Sequence, residues 1–268
     1  MTVPIQEQEI SLFLFAHNDD EFFVLPAIDA EIASGHRVVC VYTTDGTAHG
    51  KDPTIRLLES RAVLCSRGVK EEDIVPLGTQ LGVRDGASFR SMAQLWEALL
   101  ARSLDWRIAN LYVLGWEGGH ADHDAGHLLG VALAKLNGVD VYEFSLYNGY
   151  KTIGPLFRCM TLIPAAGETK VVSVSRSGAL LWILSARHYV SQRRTFAGLI
   201  GFCLPQILIR RALKLRRVGV NNYHCPPHIG KLLYESRFNV PHREFISATS
   251  WFIREHIAEL LPNEIAPL

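Results

Sequence analysis

Apolar runs and amphipathic segments alternate through the first half of the chain. Short runs such as Ile10 to Phe15 lack charged residues, which is typical of a strand buried on both faces. The segments between them have the length and apolar spacing of amphipathic helices. Because strands separated by helices form parallel βαβ units, the pattern predicts an α/β fold with a doubly wound, mostly parallel sheet. The predicted strands are 10–16, 37–43, 73–77, 110–115 and 140–145, and the predicted helices between them are 21–34, 54–67, 88–103 and 123–137.

The second half of the chain is less regular. The elements expected there are a strand at 170–174, a helix at 177–193 and a helical stretch at 226–261 with a break near 239–241. No Gly/Ser-rich linker separates the two halves. We therefore expect one domain, with a core at about 9–175 and a helical C-terminal elaboration at about 176–268 that closes over the sheet.

Composition and charge disfavour several classes of protein. The chain has 268 residues with 27 basic and 27 acidic side chains, so no overall field draws it to nucleic acid. No segment has the roughly 18 uncharged apolar residues of a transmembrane helix, and residues 1–9 lack the features of a secretory signal. The five cysteines form no CxxC pair, which is typical of a protein from a reducing compartment. We expect a cytoplasmic protein.

Two short motifs far apart in the chain carry histidine and carboxylate side chains. Ala16-His17-Asn18-Asp19-Asp20-Glu21 follows the first predicted strand, and His120-Ala121-Asp122-His123-Asp124 follows the strand at 110–115. The carboxyl ends of parallel strands form the ligand crevice of an open α/β sheet, so we expect both motifs at one crevice. Taken alone, the first motif is more simply explained by helix capping, and the second by two surface histidines. Together they predict a divalent metal site.

The predicted site has the ligand types that zinc prefers. Zinc binds imidazole nitrogen and carboxylate oxygen, and a hydrolytic site uses three protein ligands and leaves one position for water. His17 and Asp20 supply two ligands, and His123 is a better candidate for the third than His120. Another divalent ion, such as iron or manganese, suits the same donors. Asp19 is left over beside a ligand, where a general base for the attacking water is needed.

These motifs resemble those of a known family. Ala-His-x-Asp-Asp-Glu at 16–21 and Gly-Gly-His-x-Asp-His-Asp at 118–124 are similar to motifs of the PIG-L/LmbE-like zinc-dependent N-deacetylases. The resemblance is good over about 9–150 and loose beyond. Asn18 and Ala121 replace prolines that are usual in the family, which changes loop rigidity and removes no ligand. The supporting matches are Thr43-Thr44-Asp45-Gly46, Arg56-x-x-Glu59, Leu77-Gly78, Asp85-Gly86 and Ser191-Gln192.

The resemblance implies a fold, an activity and roles for single residues. It implies a Rossmann-like α/β fold and the removal of an N-acetyl or other N-acyl group from a GlcNAc-type sugar in a glycoconjugate. His17, Asp20 and His123 would bind zinc. Asp19 would be the general base, and His120 in its protonated form would stabilise the oxyanion or help the amine to leave.

Several other residues are candidates for contacts with substrate or for support of the site. Arg56 would bind a sugar hydroxyl or a phosphate, or else face solvent on its helix. Asp85 would bind sugar hydroxyls or serve only as a turn residue, and Trp116 would stack on a sugar face or lie in the core. Asp122 would orient an imidazole of the site or cap the following helix. His49, on the loop after the second strand, is a weaker candidate.

A basic segment from Arg210 to Arg217 follows an apolar stretch, and we interpret it as helical. One hypothesis makes it an interfacial helix that rests on anionic lipid at the inner face of the membrane and brings the site to a lipid-linked sugar. The alternative is the solvated cationic face of an ordinary helix.

The sequence thus predicts a cytoplasmic, metal-dependent sugar N-deacetylase with a small-molecule or lipid-linked amino-sugar substrate. An amidase that acts on a non-acetyl amide, such as a thiol-sugar conjugate, is an alternative within enzymes. A non-catalytic sugar- or nucleotide-binding module is an alternative of another class, although a binding module has no need of Asp19 beside metal ligands. The metal content of the purified protein distinguishes these classes.

Overall fold

The computed structural model describes residues 8–47 and 52–261. His49 and the first seven residues, on which two of the sequence predictions fall, lie outside this part of the chain. The strands are β1 (Ile10–Phe15), β2 (Arg37–Tyr42), β3 (Ile74–Val75), β4 (Ile108–Leu114), β5 (Asp140–Phe144), β6 (Tyr147–Asn148), β7 (Arg158–Cys159), β8 (Thr169–Ser173) and β9 (Ala212–Arg217). The helices are α1 (Leu25–Ala33), α2 (Pro53–Ser66), α3 (Leu77–Leu81), α4 (Met92–Ser103), α5 (Ala121–Asn137), α6 (Arg176–Ser185), α7 (Arg193–Leu204), α8 (Leu233–Phe238) and α9 (His242–Phe252).

Seven of the described strands form one sheet in the order β3-β2-β1-β4-β5-β9-β8. The pairs from β3 to β5 are parallel, whereas β9 pairs antiparallel with both β5 and β8. The order of the parallel strands reverses direction between β1 and β4. In an open α/β sheet the ligand crevice lies at such a reversal, beyond the carboxyl ends of the strands.

The two faces of β1 pack against different parts of the core. Successive side chains of a strand point to opposite faces. Leu12 and Leu14 accordingly belong to a core cluster with the apolar residues of α5, while Phe13 and Phe15 belong to a second cluster with residues of α1. Because both faces are covered, the run from Ile10 to Phe15 is apolar at almost every position. The α/β fold class predicted from the sequence is confirmed.

The predicted elements of the first half all occur, with small differences in their bounds. Helices α1 and α4 begin four residues later than predicted, after 3₁₀ turns, and α5 begins at Ala121 and not at residue 123. His120 is the residue before the helix, and its side chain accepts a hydrogen bond from the backbone N–H of Asp122. The second motif therefore spans a helix N-terminus and not a loop that precedes one.

The helical interpretation of 210–217 is wrong for 212–217, because these residues form β9 in the interior of the sheet, while Arg210 ends a π-helical turn. The alternation of Leu213, Lys214 and Leu215 has a period of two, and both leucines are buried while the lysine is exposed. Arg216 is also buried, in an ion pair with Glu143 of β5. Neither an interfacial helix nor a solvated helix face exists here.

The C-terminal region is also less helical than predicted. The predicted helix at 177–193 ends at Ser185, and two 3₁₀ turns separate it from α7. The predicted break near 239–241 is confirmed, since Asn239 adopts a left-handed conformation after α8. None of the described helices is long and apolar enough to cross a membrane. The division into a core and an elaboration stays a prediction.

Candidate metal centre

The two motifs meet at the crevice between β1 and β4. His17 lies just beyond β1, Asp20 begins a 3₁₀ turn that leads into α1, and His123 lies in the first turn of α5. His17 Nδ1 is 3.2 Å from His123 Nε2 and 3.6 Å from Asp20 Oδ2. His123 Nε2 is 3.4 Å from Asp20 Oδ1. The three side chains are buried, and one ligand atom from each lies within 4.8 Å of the others.

This set of donors fits a divalent metal ion. Two imidazole nitrogens and a carboxylate oxygen are typical ligands of a hydrolytic zinc site. The facing nitrogens of His17 and His123 can share only one hydrogen between them, whereas a cation interacts favourably with both lone pairs. Asp20 is held toward the same point, because its Oδ2 accepts from the backbone N–H groups of Ala16 (3.1 Å) and His17 (2.8 Å). Burial disfavours its charged form, but His123 and His17 outweigh that effect and hold the pKa of Asp20 well below its usual range.

Asp122 contacts His17 on the opposite side of the ring. Its Oδ2 is 3.2 Å from His17 Nε2, and its two oxygens also accept from the backbone N–H of Gly86 and from both the N–H and the hydroxyl of Ser88. A second group of possible metal ligands, formed by His17, Asp85, His120 and Asp122, includes the same carboxylate. Three donors already bind Asp122, and its contact with His17 is the one that the predicted orienting role requires; that role stays a prediction. The alternative role as a helix cap is wrong, because His120 occupies the capping position.

Asp19 is held in an unusual backbone conformation next to the ligands. Its φ is 136°, a region that non-glycine residues rarely adopt and that costs about 1–3 kcal/mol. Its side chain lines the same cavity as His17 and His123, and its Oδ2 is 2.8 Å from Nη2 of Arg56. Burial raises the pKa of Asp19 to about 7, although the neighbouring guanidinium of Arg56 opposes the shift.

Arg56 is buried on α2 and does not face solvent, so that interpretation is wrong. Its Nε and Nη2 donate to the carbonyl oxygen of Asn18 at 3.1 and 2.7 Å, and its Nη1 donates to the carbonyl oxygen of Gly46. Together with the contact to Asp19, these bonds join the loops that follow β1 and β2. Arg56 thereby holds the backbone directly before Asp19 and ties it to the loop after β2.

His120 faces the same cavity from the start of α5. Its Nδ1 accepts from the backbone N–H of Asp122 at 3.2 Å, which assigns the hydrogen of the neutral ring to Nε2. Burial, reinforced by the neighbouring His17, lowers the pKa of His120 to about 4. A bound cation would lower it further. The environment therefore favours the neutral ring as a hydrogen-bond donor, and not the protonated form implied by the family resemblance.

The cavity at these residues has a volume of about 150 Å³. Asp85, on the loop before Ser88, lines it, and its Oδ1 lies 3.1 Å from His17 Nε2 and 3.6 Å from His120 Nε2. The rest of the cavity lining was not predicted, apart from Gln192 in the family-like Ser191-Gln192 pair. Its residues carry no motif, and they are Phe23, Leu146, Tyr147, Thr195, Phe196, Leu199 and Phe238.

A more polar cavity of about 470 Å³ adjoins the first. The two share Arg56, Asp85, Gln192 and Thr195. The additional lining residues are Gly46, Thr47, Asp52, Ile55 and Ser191. Polar groups around a cavity of this size suit a sugar ring, which binds through hydrogen bonds to its hydroxyls.

Trp116 lies in the hydrophobic core and does not reach either cavity, so the predicted sugar stacking is wrong. Its ring packs 5.0 Å from that of Tyr223 and 5.7 Å from that of Phe245, measured between ring centroids. Only 5% of its surface is exposed. Strand β4 has ended just before Trp116, and its side chain is directed to the face of the sheet that the C-terminal helix α9 covers.

Comparison with known proteins supports the class suggested by the fold and the site. Residues 12–134, which include both motifs, match the family model PIG-L, described as GlcNAc-PI de-N-acetylase. The resemblance inferred from the motifs is confirmed over these 123 of the 268 residues. A comparison with curated protein sequences gives no match.

Solved structures with a similar fold include two named deacetylases. A teicoplanin deacetylase in a zinc-inhibited form has a TM-score of 0.56 and 14% identity, with 78% of this chain and 98% of that chain covered. The N,N'-diacetylchitobiose deacetylase from Pyrococcus horikoshii has a TM-score of 0.52 and 18% identity, with 80% of this chain and 85% of that chain covered. At these identities the similarity establishes the fold alone.

Proposed function

We propose that the protein is a metal-dependent hydrolase that removes the N-acetyl group of a GlcNAc-type sugar in a glycoconjugate. The observation that carries this proposal is the convergence of His17, Asp20 and His123 on one point. In the same cavity, Arg56 holds a carboxylate that is not needed as a ligand, that of Asp19. The PIG-L match and the deacetylase names of the structural neighbours agree with this activity.

The metal would be held by His17 Nδ1, His123 Nε2 and the Asp20 carboxylate. Bound there, a divalent ion supplies Lewis acidity, which polarises a carbonyl group and makes water more acidic. Zinc is the first choice for these donors, and iron or manganese would also suit them. Asp122 would keep His17 oriented, because a ligand imidazole is normally fixed through its other nitrogen.

Asp19 would move the proton. Its carboxylate accepts a proton from the attacking water as the new C–O bond forms at the acetamide carbonyl. The same group then donates that proton to the sugar nitrogen as the C–N bond breaks, which leaves acetate and a free amine. Arg56 is assigned a positioning role, because its hydrogen bonds fix the backbone directly before Asp19 and join it to the loop after β2.

His120 would stabilise the developing negative charge. Its neutral ring carries a hydrogen on Nε2, the atom that faces Asp85 and the cavity. A fixed N–H donor in a site with little water stabilises an oxyanion without any proton transfer in advance. Asp85 and the adjoining polar cavity would bind the sugar hydroxyls.

Hydrolysis of a longer N-acyl group is a second candidate function, and one observation favours it. An apolar cavity of about 240 Å³ shares Tyr147, Thr195, Leu199 and Phe238 with the catalytic cavity. An acyl chain longer than acetyl would fit there. Parallel assays with N-acetyl and N-octanoyl derivatives of one sugar distinguish the two, since the preferred acyl group gives the higher kcat/KM.

The test of the proposed function compares the protein with its Asp19→Asn and His123→Ala variants. We expect the protein to contain bound metal and to release acetate from at least one member of a panel of GlcNAc glycans, lipids and nucleotides. Asp19→Asn should keep the metal and lose activity by about 10²–10⁴-fold, because only the proton carrier is removed. His123→Ala should lose both metal and activity.

Two results would contradict the proposal. A protein that contains no metal and is indifferent to chelators would instead be a sugar- or nucleotide-binding module. Full activity in Asp19→Asn would exclude the assigned general base, even if the enzyme proved to be a deacetylase.

A further inference from the structure

We propose that the segment from Arg176 to Arg211, called here the arginine segment, docks on an anionic lipid surface. It comprises α6, α7 and the turns around them. The first observation is its charge. The segment contains six arginines and no aspartate or glutamate, although the whole chain has equal numbers of basic and acidic residues. The positive charge is thus concentrated in one continuous stretch. Its arginines are Arg176, Arg187, Arg193, Arg194, Arg210 and Arg211.

The second observation is that the same segment exposes large apolar side chains. On α6, Leu180, Leu181 and Leu184 are exposed. Residues separated by one, three and four positions lie on one face of a helix, so these leucines form a single exposed surface. The most exposed apolar residue of the segment, with 77% of its surface accessible, lies directly before Arg210. The exposed large apolar residues of the segment are Leu180, Leu181, Leu184, Val190, Phe202, Leu208 and Ile209. A helical surface that combines apolar side chains with arginines is typical of segments that lie in a membrane interface.

The charges of the arginine segment are not neutralised within the described part of the chain. No carboxylate among residues 8–47 and 52–261 forms an ion pair with any of its arginines. The described polar contacts of Arg187 and Arg210 are instead to His188 and Gln206. By contrast, Arg216 and Arg217 of the neighbouring strand β9 each pair with a carboxylate of β5. Five of the six arginines are exposed and Arg211 is half-buried, so the arginine segment presents most of its charge outward.

An anionic bilayer explains this combination better than other partners do. A second copy of the chain would bring two strongly positive surfaces together, which is unfavourable. A nucleic acid would pair with the arginines and would leave the exposed leucines in contact with water. Anionic lipid matches both features, because headgroups attract the arginines while the acyl region accepts the leucines.

Docking would place the bilayer next to the catalytic cavity. Arg194 and Leu199 of α7 line the apolar cavity that adjoins it. A chain of aromatic rings leads inward, from Phe202 to Phe157 at 4.5 Å, to Tyr147 at 6.3 Å and to His123 at 5.5 Å. The advantage for a lipid-linked sugar substrate rests on the proposed function, whereas the docking itself does not.

The experiment is sedimentation of the full-length, metal-loaded protein with vesicles. Vesicles of phosphatidylcholine alone are compared with an equal mixture of phosphatidylcholine and phosphatidylglycerol at low salt. We expect binding to the mixed vesicles that weakens as salt is added, and little binding to phosphatidylcholine alone. The Asp19→Asn variant should bind the mixed vesicles as well as the unchanged protein does. Vesicle binding is therefore measured independently of the proposed enzymatic activity.

Exposed residues supply the variants and their matched controls. Leu181→Asp, at a residue with 60% exposure, should weaken binding by about tenfold or more, while Leu104→Asp, at 81% exposure on the loop after α4, should not. The double reversal of Arg176 and Arg210 to Glu should weaken binding by about fivefold or more for each reversed residue. A double reversal of Lys70 and Arg243 to Glu makes the same change in net charge outside the segment and should have a much smaller effect.

Three results would overturn the proposal. They are absence of binding to mixed vesicles, equal binding to both vesicle types, and equal losses in the variants and their controls. A dimer in solution that Leu181→Asp disrupts, without vesicle binding, would show that a second copy covers this face, and it would also overturn the proposal.

Discussion

The two sides of the catalytic cavity are held in different ways. On the motif side, the side chains lie at the end of a strand or at the start of a helix, and nearby backbone N–H groups fix some of them, as with Asp20. On the opposite side, Tyr147, Leu199 and Phe238 come from three separate elements. Those elements are positioned by contacts between residues far apart in the chain. The positions of the motif residues thus depend partly on local geometry, whereas the shape of the rest of the cavity depends on long-range packing.

The ion pair between Arg216 and Glu143 is the strongest test of that long-range packing. Arg216 Nε donates to Glu143 Oε1 at 2.7 Å, and Glu143 Oε2 also accepts from the backbone N–H of Trp116. Both side chains of the pair are buried. Arg216→Met leaves a buried carboxylate unpaired, so we expect the free energy of unfolding to fall by about 3–5 kcal/mol. Urea denaturation measures this loss.

The adjacent residue is a matched control for this prediction. Arg217 pairs with Asp140 on the same two strands, but 55% and 41% of the respective side chains are exposed. Arg217→Met should therefore cost about 0–1 kcal/mol. Equal losses of unfolding free energy in the two variants would show that burial of the ion pair does not determine its contribution to stability.

The next largest effect is expected on the motif side, at His120. His120→Asn removes the Nε2–H donor and keeps a side-chain oxygen that can cap α5. We expect kcat to fall by about 10²–10³-fold with metal content unchanged. Steady-state kinetics and metal analysis check this. A stability loss as large as that of Arg216→Met would instead make His120 a structural residue.

A smaller effect is expected at Arg56. Arg56→Lys keeps one positive charge near Asp19 but cannot make the same set of hydrogen bonds. We expect kcat to fall by about 10–100-fold with little change in KM, as for other residues that orient catalytic groups. Arg61→Lys on the same helix, at a pair with the exposed Glu71, should leave both constants unchanged. A rise in KM alone would instead assign Arg56 to substrate binding.

The smallest effect is expected on the C-terminal side, at Phe238. Its ring packs 4.2 Å from that of His120, and 43% of the residue is exposed. Phe238→Ala removes one aromatic contact, worth about 1 kcal/mol, so we expect kcat/KM to fall by about fivefold. Metal content should not change. Loss of the metal in this variant would mean that the metal ligands of the motif side need the packing of Phe238 to keep their positions.

The sequence predicted most of the first half of the fold and the cluster of candidate ligands. Continuous apolar runs identify strands buried on both faces, and the strand ends place both motifs at one edge of the sheet. The prediction failed at β9, where buried Arg216 is charged and the segment resembles a basic helix. The residues near Arg216 in the sequence cannot show that Glu143 of another strand forms an ion pair with it.

Local sequence by itself determined the parallel strands around β1 and β4 and the residue types that gather at their ends. Continuous apolar runs and the ligand chemistry of histidine and carboxylate are properties of the residues themselves. Only the tertiary structure decided that Arg56 binds the Asp19 loop, that Trp116 lies in the core and that the neutral form of His120 is favoured. These outcomes depend on which distant groups enclose a side chain and exclude water from it, and no local pattern contains that information.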